Sequence, residues 1–362
     1  MSGTELDRAM DDERWMDRAL AVSRLALGHT GGNPAVGTVL VRDGRVLAEG
    51  WTQPPGQDHA EPHALRKVHD APGGARGATL YVTLEPCCHH GRTPPCTDAI
   101  VRAGVSRVVV GTVDPFPLVS GRGIFLLREA GISVDVGVRE AACRRVNLGF
   151  LRVVEGGLPE VTLKAAVSLD GRIASAAGES KWITGPEARL AGHRLRAEHD
   201  AVLVGIGTVL ADDPELTVRV PGLMGDPLRV VLDTRLRTPP TAKVLGDRAL
   251  VFSARSGGLA GTEVVGVAQG ASGLDVTAVL QALSARGVRR VLVEGGGAVH
   301  RSFLEAGVVD RLELFTNGRV LAGGPGFVAG PGFSLGGAPG FVLDRVSREG
   351  ADLWTSWESS SR

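Results

Sequence analysis

The sequence predicts an α/β protein built from two domains. A chain of 362 residues is too long to fold around one ordinary hydrophobic core and suits two domains of roughly 150 to 200 residues each. Helical and extended patterns alternate in the first half, break off around residues 147–159, and begin again in the second half. Such alternation is typical of helices layered on a sheet. We therefore place one domain at residues 1–148 and the other at residues 149–362.

The first domain is predicted to contain a hairpin followed by alternating helices and strands. Apolar residues recur with helical spacing over residues 13–27, which predicts an amphipathic helix. The pair Asp43-Gly44 between two extended segments predicts a tight hairpin turn. The predicted strands are 36–41, 45–50, 78–84 and 107–111, and the further predicted helices are 59–68, 95–103 and 122–130.

The second domain repeats the alternation with more strands. The predicted strands are 161–166, 201–205, 228–232, 249–252, 290–293 and 311–315, and the predicted helices are 186–198, 276–285 and 298–306. Residues 323–340 are dense in glycine and proline, which predicts an irregular loop. Phe327, Phe333 and Phe341 are expected to anchor this loop, so we do not expect a disordered tail.

Charge and composition exclude several classes of function. Lysine plus arginine equals aspartate plus glutamate at 40 each, and only 4% of the residues are aromatic. These numbers disfavour a nucleic-acid-binding or editing protein, so a small molecule is the predicted substrate. No uninterrupted run of about 18 apolar residues predicts a membrane span, and the acidic residues 1–17 do not resemble a secretory signal. We expect a cytoplasmic enzyme, and the sequence leaves a homo-oligomer open.

The strongest functional signal is a cluster of metal-binding residue types. The motifs are His59-Ala60-Glu61, Glu85-Pro86-Cys87 and Pro94-Pro95-Cys96. Histidine and cysteine suit zinc, and three protein ligands leave the fourth tetrahedral position open for a water whose pKa the metal lowers. We predict one zinc ion per chain, held by His59, Cys87 and Cys96. Glu61, two residues from a ligand, is the predicted general acid and base.

The surroundings of the two thiols lead to a further expectation and one alternative. Cys87 follows a predicted strand and Cys96 follows Pro95, so both thiolates are expected at helix N-termini, where the helix dipole favours negative charge. A closed structural zinc site with Cys88 or His89 as the fourth ligand is the main alternative. Adjacent residues such as Cys87 and Cys88 rarely both reach one tetrahedral ion, which favours the open site.

These motifs resemble those of the cytidine deaminase-like zinc family. That pattern has two residues between its cysteines, whereas eight residues separate Cys87 from Cys96 here. The longer spacing, together with residues 81–85, is similar to the deaminase half of the bifunctional riboflavin biosynthesis family. The resemblance implies a three-layer domain and places Asn33 beside the base of the substrate as a hydrogen-bond partner. By itself, the segment 33–37 would be an ordinary turn.

The resemblance to this family continues through the second half of the chain. It rests on residues 161–164, 168–172, 178–186, 208–214 and 293–297. It implies a domain similar in fold to dihydrofolate reductase that uses NADPH. The implied reaction is deamination of a diaminopyrimidine ribosylamine phosphate, followed by reduction of its ribose to ribityl. No Gly-x-Gly-x-x-Gly fingerprint stands in the strand and helix context of a Rossmann domain.

The resemblance also assigns residues of the second domain to ligands. The implied substrate contacts are Ser180, Arg196, Leu216, Arg219 and Glu294, and the implied NADPH contacts are Trp182, Thr208, Asp212 and the segment 296–302 with Gly296, Gly297 and Ala298. Taken alone, the glycines after Glu294 suit either a phosphate cradle or a tight turn. Arg196 and Arg219 suit a phosphate but as isolated residues are more often surface charges. Lys164 suits either a substrate contact or a structural ion pair.

Three segments depart from the family pattern. Phe116 stands where asparagine is usual, and Gly32 stands where proline is usual, so the fit of the deaminase pocket is expected to differ. Residues 315–319 replace a segment that normally reads close to Tyr-x-Ala-Pro-Lys, which adds polarity and flexibility near the end of a core strand. The alternative function is therefore a single-function pyrimidine deaminase with an inert or redirected reductase-like domain.

Overall fold

The computed structural model describes residues 3–259, 261–270 and 273–360. Contacts divide the chain into two compact units, Met1–Gly157 and Leu158–Arg362. This division lies within residues 147–159, the segment where the sequence pattern breaks off. The domain limits at residues 148 and 149 stay a prediction. No helix in the described part of the chain is long and apolar enough to cross a membrane.

The first unit contains a five-stranded sheet. Its strands are β1 (Gly37–Arg42), β2 (Arg45–Trp51), β3 (Thr79–Val82), β4 (Arg107–Val110) and β5 (Ser133–Val136). Its helices are α1 (Gly3–Ser23), α2 (Ala60–Lys67), α3 (Cys96–Arg102), α4 (Arg122–Glu129), α5 (Glu140–Val146) and α6 (Leu148–Val154). The strand order is β2-β1-β3-β4-β5, with β1 antiparallel to both neighbours and the other pairs parallel. The sequence prediction missed β5, α5 and α6, and it began α1 ten residues late.

Helices cover both faces of this sheet because successive strand residues point to opposite sides. Leu80 of β3 and Val108 of β4 belong to the buried cluster that includes side chains of α2, α3 and α4. Their neighbours Tyr81 and Val109 belong to a second cluster with Trp15 of α1. The unit is therefore a three-layer structure, as the family resemblance implied.

A two-residue turn joins β1 to β2, as the Asp43-Gly44 pair predicted. Both residues have a positive φ, 51° and 68°, as a type I′ turn requires. Arg42 pairs with Arg45 across the turn, which sets the register of the hairpin at its closed end. After β2, the chain continues to α2, and the predicted metal-binding motif His59-Ala60-Glu61 lies at the start of this helix.

A largely buried ion cluster ties α1 to this sheet. Asp12 accepts hydrogen bonds from Tyr81 Oη at 2.8 Å and from Arg107 Nη1 and Nη2 at 2.8 and 2.6 Å. Burial raises the pKa of Asp12, but the hydrogen bonds from Arg107 and Tyr81 together outweigh burial and lower it. Asp12 is therefore charged in the folded protein and balances the Arg107 guanidinium.

We expect Asp12→Ala to destabilise the first unit by about 2–3 kcal/mol, because it leaves the buried Tyr81 hydroxyl without its acceptor and the Arg107 guanidinium with only the half-exposed Asp135 as counter-charge. Thermal unfolding measures the change. The matched control is Asp17→Ala on the same helix, because Asp17 pairs with Arg139 where both side chains are 42–48% exposed. Exposed pairs contribute less than about 1 kcal/mol, so equal losses in both variants would contradict a special role for Asp12.

The second unit contains a nine-stranded sheet and a short separate hairpin. Its strands are β6 (Glu160–Ser168), β7 (Ala201–Gly205), β8 (Leu228–Leu232), β9 (Ala249–Ser253), β10 (Glu263–Gly266), β11 (Gln269–Gly270), β12 (Gly273–Leu274), β13 (Arg290–Val293), β14 (Arg311–Asn317), β15 (Phe341–Glu349) and β16 (Asp352–Ser359). Its helices are α7 (Pro186–Ala197), α8 (Ile206–Asp212), α9 (Val276–Ala285) and α10 (Gly297–Glu305). The large sheet has the order β10-β9-β8-β7-β13-β6-β14-β16-β15, and β11 pairs with β12.

The central strands of the large sheet are parallel, so their carboxyl ends meet at one edge. Strands from β10 to β14 pair in parallel, whereas β16 and β15 are antiparallel additions. At that edge, β7 leads directly into α8 and β13 leads through Glu294 into α10. Side chains that follow these strands are therefore brought together.

The sequence prediction located the parallel strands of this sheet from β9 to β14 in the sheet order but missed several shorter or exposed elements. It missed β10, β11, β12, α8 and the hairpin formed by β15 and β16. Residues 323–340 form the predicted irregular segment, with a 3₁₀ turn at Leu335–Gly337 as its regular part. Phe341 begins β15, so it belongs to a strand rather than to a loop.

Candidate active sites

Three metal-ligating side chains of the first unit converge on one point. Nδ1 of His59 lies 3.5 Å from Cys87 Sγ and 3.4 Å from Cys96 Sγ, and the three donor atoms all lie within 4.8 Å of one another. Tetrahedral zinc with bond lengths near 2.0 Å to nitrogen and 2.3 Å to sulfur places such donors about 3.6 Å apart. The spacing and the nitrogen and sulfur donors therefore fit zinc.

The local fold explains how these residues meet. His59 immediately precedes α2, and Cys96 is the first residue of α3, with Pro95 just before the helix. Cys87 lies in the irregular segment after β3, so the expectation that it begins a helix is wrong. Its sulfur nevertheless accepts the backbone N–H of Cys96 at 3.4 Å, because the segment packs against the start of α3. The first N–H of that helix thus faces the Cys87 sulfur.

Glu61 lies beside the ligand group in the first turn of α2. Its side chain is buried, with 3% of the residue exposed. Burial, and next the negative charge of Cys87, raise the pKa of Glu61 to about 7. A carboxyl group with a pKa near the working pH exchanges protons readily, as general acid and base catalysis requires. The position and the raised pKa match the role predicted for Glu61.

The structure leaves Cys88 and His89 out of the ligand group. Among the described residues, the metal-ligating group contains one histidine and two cysteines. The thiol of Cys88 instead donates to the carbonyl of Leu118 at 3.4 Å, and the His89 ring packs on Phe116 with 5.7 Å between ring centres. The geometry therefore favours an open fourth position over a closed structural site.

The sequence did not point to the roles of two residues that lie next to the zinc-ligand group. Thr93 Oγ1 lies 3.4 Å from Nε2 of His59, so the ring has a partner on the side away from the thiols. Such partners orient a metal ligand. The buried carboxylate of Glu85 accepts backbone N–H groups from Asp114 at 3.3 Å and from Gly121 at 2.9 Å, which holds the segment that carries Phe116. The signal for Glu85 was its place directly before Pro86-Cys87.

Asn33 is exposed on the turn before β1, and its backbone N–H donates to Thr30 at 3.2 Å. Its contact with a substrate base stays a prediction. The preceding Gly32 has a φ of 92°, which the ring of proline forbids. This departure from the family pattern therefore changes the backbone path of the turn, not only one side chain.

A cavity of about 650 Å³ opens in the second unit. Most of the predicted substrate and cofactor residues line it, namely Lys164, Ser180, Trp182, Arg196, Thr208, Asp212, Leu216, Arg219, Glu294 and Gly296. Gly297 and Ala298 are absent from this lining and lie in the first turn of α10. Six cationic side chains and four carboxylates line the cavity among the described residues, and this excess of positive charge suits a phosphate-bearing ligand.

A buried carboxylate organises the floor of this cavity. Glu294 accepts from Arg196 Nε at 2.6 Å and Nη2 at 3.0 Å, and Lys164 Nζ lies 3.5 Å from Glu294 Oε2. Burial raises the pKa of Glu294, but the charges of Arg196 and Lys164 outweigh burial and lower it to about 2. Lys164 therefore forms the ion pair that was one alternative, while it also faces the cavity.

Helix α8 gives Thr208 and Asp212 a common face, since residues four apart on a helix are neighbours. Asp212 accepts a hydrogen bond from Ser180 Oγ at 2.9 Å. Trp182 is 63% exposed, and the Arg189 guanidinium lies 4.6 Å from the centre of its ring. These residues form the rim of the cavity rather than its floor.

The departing segment 315–319 is held by specific contacts. Asn317 Nδ2 donates to Asp352 Oδ1 at 2.6 Å, and the other oxygen of Asp352 accepts from the backbone of Gly185 at 2.6 Å. Arg319 donates to the carbonyl of Trp182 at 3.3 Å. The polar side chain of Asn317 thus connects β14 with Asp352 of β16, which in turn holds the start of α7.

Comparisons with known proteins agree with this division of the chain. Residues 9–112 match the cytidine and deoxycytidylate deaminase zinc-binding region, and residues 159–352 match the RibD C-terminal domain. The chain therefore joins a zinc-binding deaminase domain to a reductase domain.

Full-length relatives show the same combination. Riboflavin biosynthesis protein RibD of Bacillus amyloliquefaciens is 40% identical over 360 residues, covering 94% of this chain and 95% of the relative. The RibD of Escherichia coli (strain K12) is 39% identical, with 95% and 98% coverage. A solved diaminohydroxyphosphoribosylaminopyrimidine deaminase/5-amino-6-(5-phosphoribosylamino)uracil reductase from Thermotoga maritima superposes with a TM-score of 0.88 at 36% identity, with 97% and 99% coverage.

The chain belongs to the RibD family of riboflavin biosynthesis proteins. It is a bifunctional enzyme with a deaminase and a reductase activity, and the predicted α/β fold of both domains is confirmed. The alternative of a deaminase with an inert second domain is not favoured, because both family domains are present.

Proposed function

We propose that this protein deaminates the base of a diaminohydroxyphosphoribosylaminopyrimidine and then reduces the ribose of the product to ribityl with NADPH. The observation that carries the proposal is the buried Glu61 beside three donor atoms spaced for zinc. The cation-rich cavity of the second unit supports the reductive step, since the substrate and the cofactor both carry phosphate. The Thermotoga maritima relative is named for both reactions.

In the deamination step, His59, Cys87 and Cys96 would hold zinc, and Glu61 would move the protons. Zinc, when bound, lowers the pKa of a water ligand so that hydroxide is available near neutral pH. Glu61 accepts a proton on its carboxylate and returns it to the departing amine, which leaves as ammonia. Because Glu61 is buried and its pKa is raised to about 7, both its protonated and its charged form are accessible near neutral pH.

In the reduction step, the chain binds and orients two ligands. NADPH, when bound, supplies the hydride. We propose that Trp182, Thr208, Asp212 and the segment 296–302 hold NADPH. At Gly296, the space where a Cβ would stand is open, with Thr208 Oγ1 at 3.9 Å as its nearest neighbour, so the backbone there is accessible to a phosphate.

The proposed substrate contacts of the reductase line the same cavity. They are Lys164, Ser180, Arg196, Leu216, Arg219 and Glu294. In the deaminase domain, Asn33 is the proposed substrate contact. Glu294 fixes the Arg196 guanidinium through two hydrogen bonds, so the remaining N–H groups of Arg196 are already oriented when a ligand enters.

A two-signal assay tests the proposed function. The purified protein receives the diaminopyrimidine ribosylamine phosphate, and ammonia release and NADPH oxidation are followed separately. Both signals are expected, and NADPH oxidation is expected to require prior deamination. Ammonia without NADPH oxidation would contradict the reductive half of the proposal, and neither signal would contradict the substrate.

Zinc removal is expected to abolish ammonia release and to leave NADPH oxidation with the deaminated substrate unchanged, because the ligand group lies in the first unit only. Cys96→Ser should lower bound zinc from one ion per chain to a small fraction, since a hydroxyl is a much poorer zinc ligand than a thiolate. Elemental analysis measures the metal. Cys88→Ser is the matched control, and loss of zinc in that variant would contradict the proposed ligand set.

A further inference from the structure

One histidine in the reductase cavity has no assigned role and no hydrogen-bond partner among the described residues. Nδ1 of His193 is shielded from solvent without a partner. His193 lines the cavity on the same face of α7 as Arg189 and Arg196, because these positions are separated by four and three residues. The buried His199, just after this helix, instead contacts Leu195 and Thr162 through both ring nitrogens.

The surroundings of His193 decide the charge of its ring and which ring nitrogen a ligand can reach. Burial, and next the positive charges of Arg196 and Arg219, lower the pKa of His193, so its ring is neutral near pH 7. A neutral imidazole has one N–H donor and one acceptor. Nδ1 is shielded from solvent, whereas Nε2 is not among the shielded atoms, so Nε2 is the ring nitrogen that a ligand in the cavity can reach. In the tautomer with its proton on Nε2, this nitrogen is a donor available to a ligand in the cavity.

The charges around His193 define the ligand that it meets. The side chains that act on it are Arg196, Arg219, Lys164 and Glu294, which together are positive. Arg196 uses three of its five N–H groups on Glu294 and on the carbonyl of Thr217, which leaves two for a ligand. A dianionic phosphate fits a place that combines these free donors with a neutral N–H.

We propose that His193 donates a hydrogen bond from Nε2 to the phosphate group of the ribosyl substrate, next to Arg196 and Arg219. This inference rests on the proposed function, because it assigns the reductase a phosphorylated substrate. The other phosphate in the reaction belongs to NADPH, and the experiment separates the two sources. His193 is a binding residue for the phosphate and takes no part in hydride transfer.

The test compares phosphorylated and dephosphorylated forms of the deaminated substrate in NADPH oxidation by the full chain. His193→Ala is expected to raise KM for the phosphorylated form about tenfold to a hundredfold, with kcat nearly unchanged, because it removes a hydrogen bond to a charged group. KM for the dephosphorylated form and for NADPH should not change. His193→Gln keeps an N–H donor and is expected to restore part of the affinity. Arg194→Ala, an exposed neighbour on α7, is the matched control.

Other outcomes are equally decisive. A higher KM for NADPH would assign His193 to the cofactor phosphate, and equal losses with both substrate forms would show a merely structural role. If the wild-type protein oxidises no NADPH, the proposed function fails. In that case, equilibrium binding of ribose 5-phosphate against ribose still tests His193. Weaker binding of the phosphate form alone in His193→Ala would support the contact, and unchanged binding would overturn it.

Discussion

Glu61→Gln is expected to slow ammonia release by about 10²- to 10⁴-fold while one zinc ion per chain remains bound. Glutamine fills the same buried space in the first turn of α2 but cannot accept a proton from water or return one to the amine. The zinc-ligand atoms stay in place, since Glu61 is not one of them. Ammonia release and elemental analysis on the same preparation measure both quantities.

The control for this variant is Asp98→Asn. Asp98 lies two residues after Cys96, as Glu61 lies two residues after His59, but Asp98 is exposed. Asp98→Asn should therefore keep full activity. Deamination at an undiminished rate by Glu61→Gln would remove Glu61 from the mechanism, and loss of zinc from Glu61→Gln would show that the residue maintains the site instead.

Glu294→Gln is expected to abolish NADPH oxidation and to destabilise the second unit by about 3–5 kcal/mol. The substitution leaves Arg196 and Lys164, whose side chains are 16% and 18% exposed, without the carboxylate that balances them. Ammonia release should persist, because Glu294 lies in the other unit. Thermal unfolding and the two activity signals measure these effects. The control is Glu305→Gln, which loses an ion pair with Arg301 at the end of α10.

The stability difference between wild type and Glu294→Gln is expected to depend on pH. The ordinary pKa of glutamate is about 4.5, and in the folded protein the pKa of Glu294 is lowered to about 2. A carboxyl group whose pKa is lowered by folding stabilises the fold fully at pH values above its pKa in the unfolded chain. This stabilisation is lost as the pH falls through the pKa of the group in the folded protein. The difference should therefore be constant above about pH 5 and shrink toward pH 2. Chemical denaturation at a series of pH values checks this, and a difference that grows on acidification would contradict the assigned charge.

The metal-binding cluster could be predicted from the sequence because its residues lie in short motifs close together along the chain. His59 and Glu61 are two residues apart, and the cysteine motifs are separated by eight residues. Zinc selects nitrogen and sulfur donors, so residue type and spacing sufficed to predict a ligand group that the structure does assemble. Alternating periodicity likewise predicted the buried central strands, whose apolar runs are strong signals.

The missed elements lack such local signals. Helix α8 has seven residues, includes a glycine and β-branched side chains, and follows directly on β7, so its pattern reads as a continuing strand or a loop. The strands β15 and β16 pair with each other at the border of the sheet, and much of β15 is exposed. Their order depends on contacts with β14 rather than on an apolar run of their own.

The sequence by itself predicted the α/β class, the cluster of His59, Cys87 and Cys96 and the position of Glu61 beside it, because each depends on periodicity or on neighbouring residues. Only the tertiary structure decided that Glu294 joins Lys164 and Arg196, and that His193 faces the cavity they line. Lys164 and Glu294 are 130 positions apart in the sequence. They meet because β6 and β13 are parallel neighbours with Leu163 opposite Val293, and no local sequence pattern specifies the strand order.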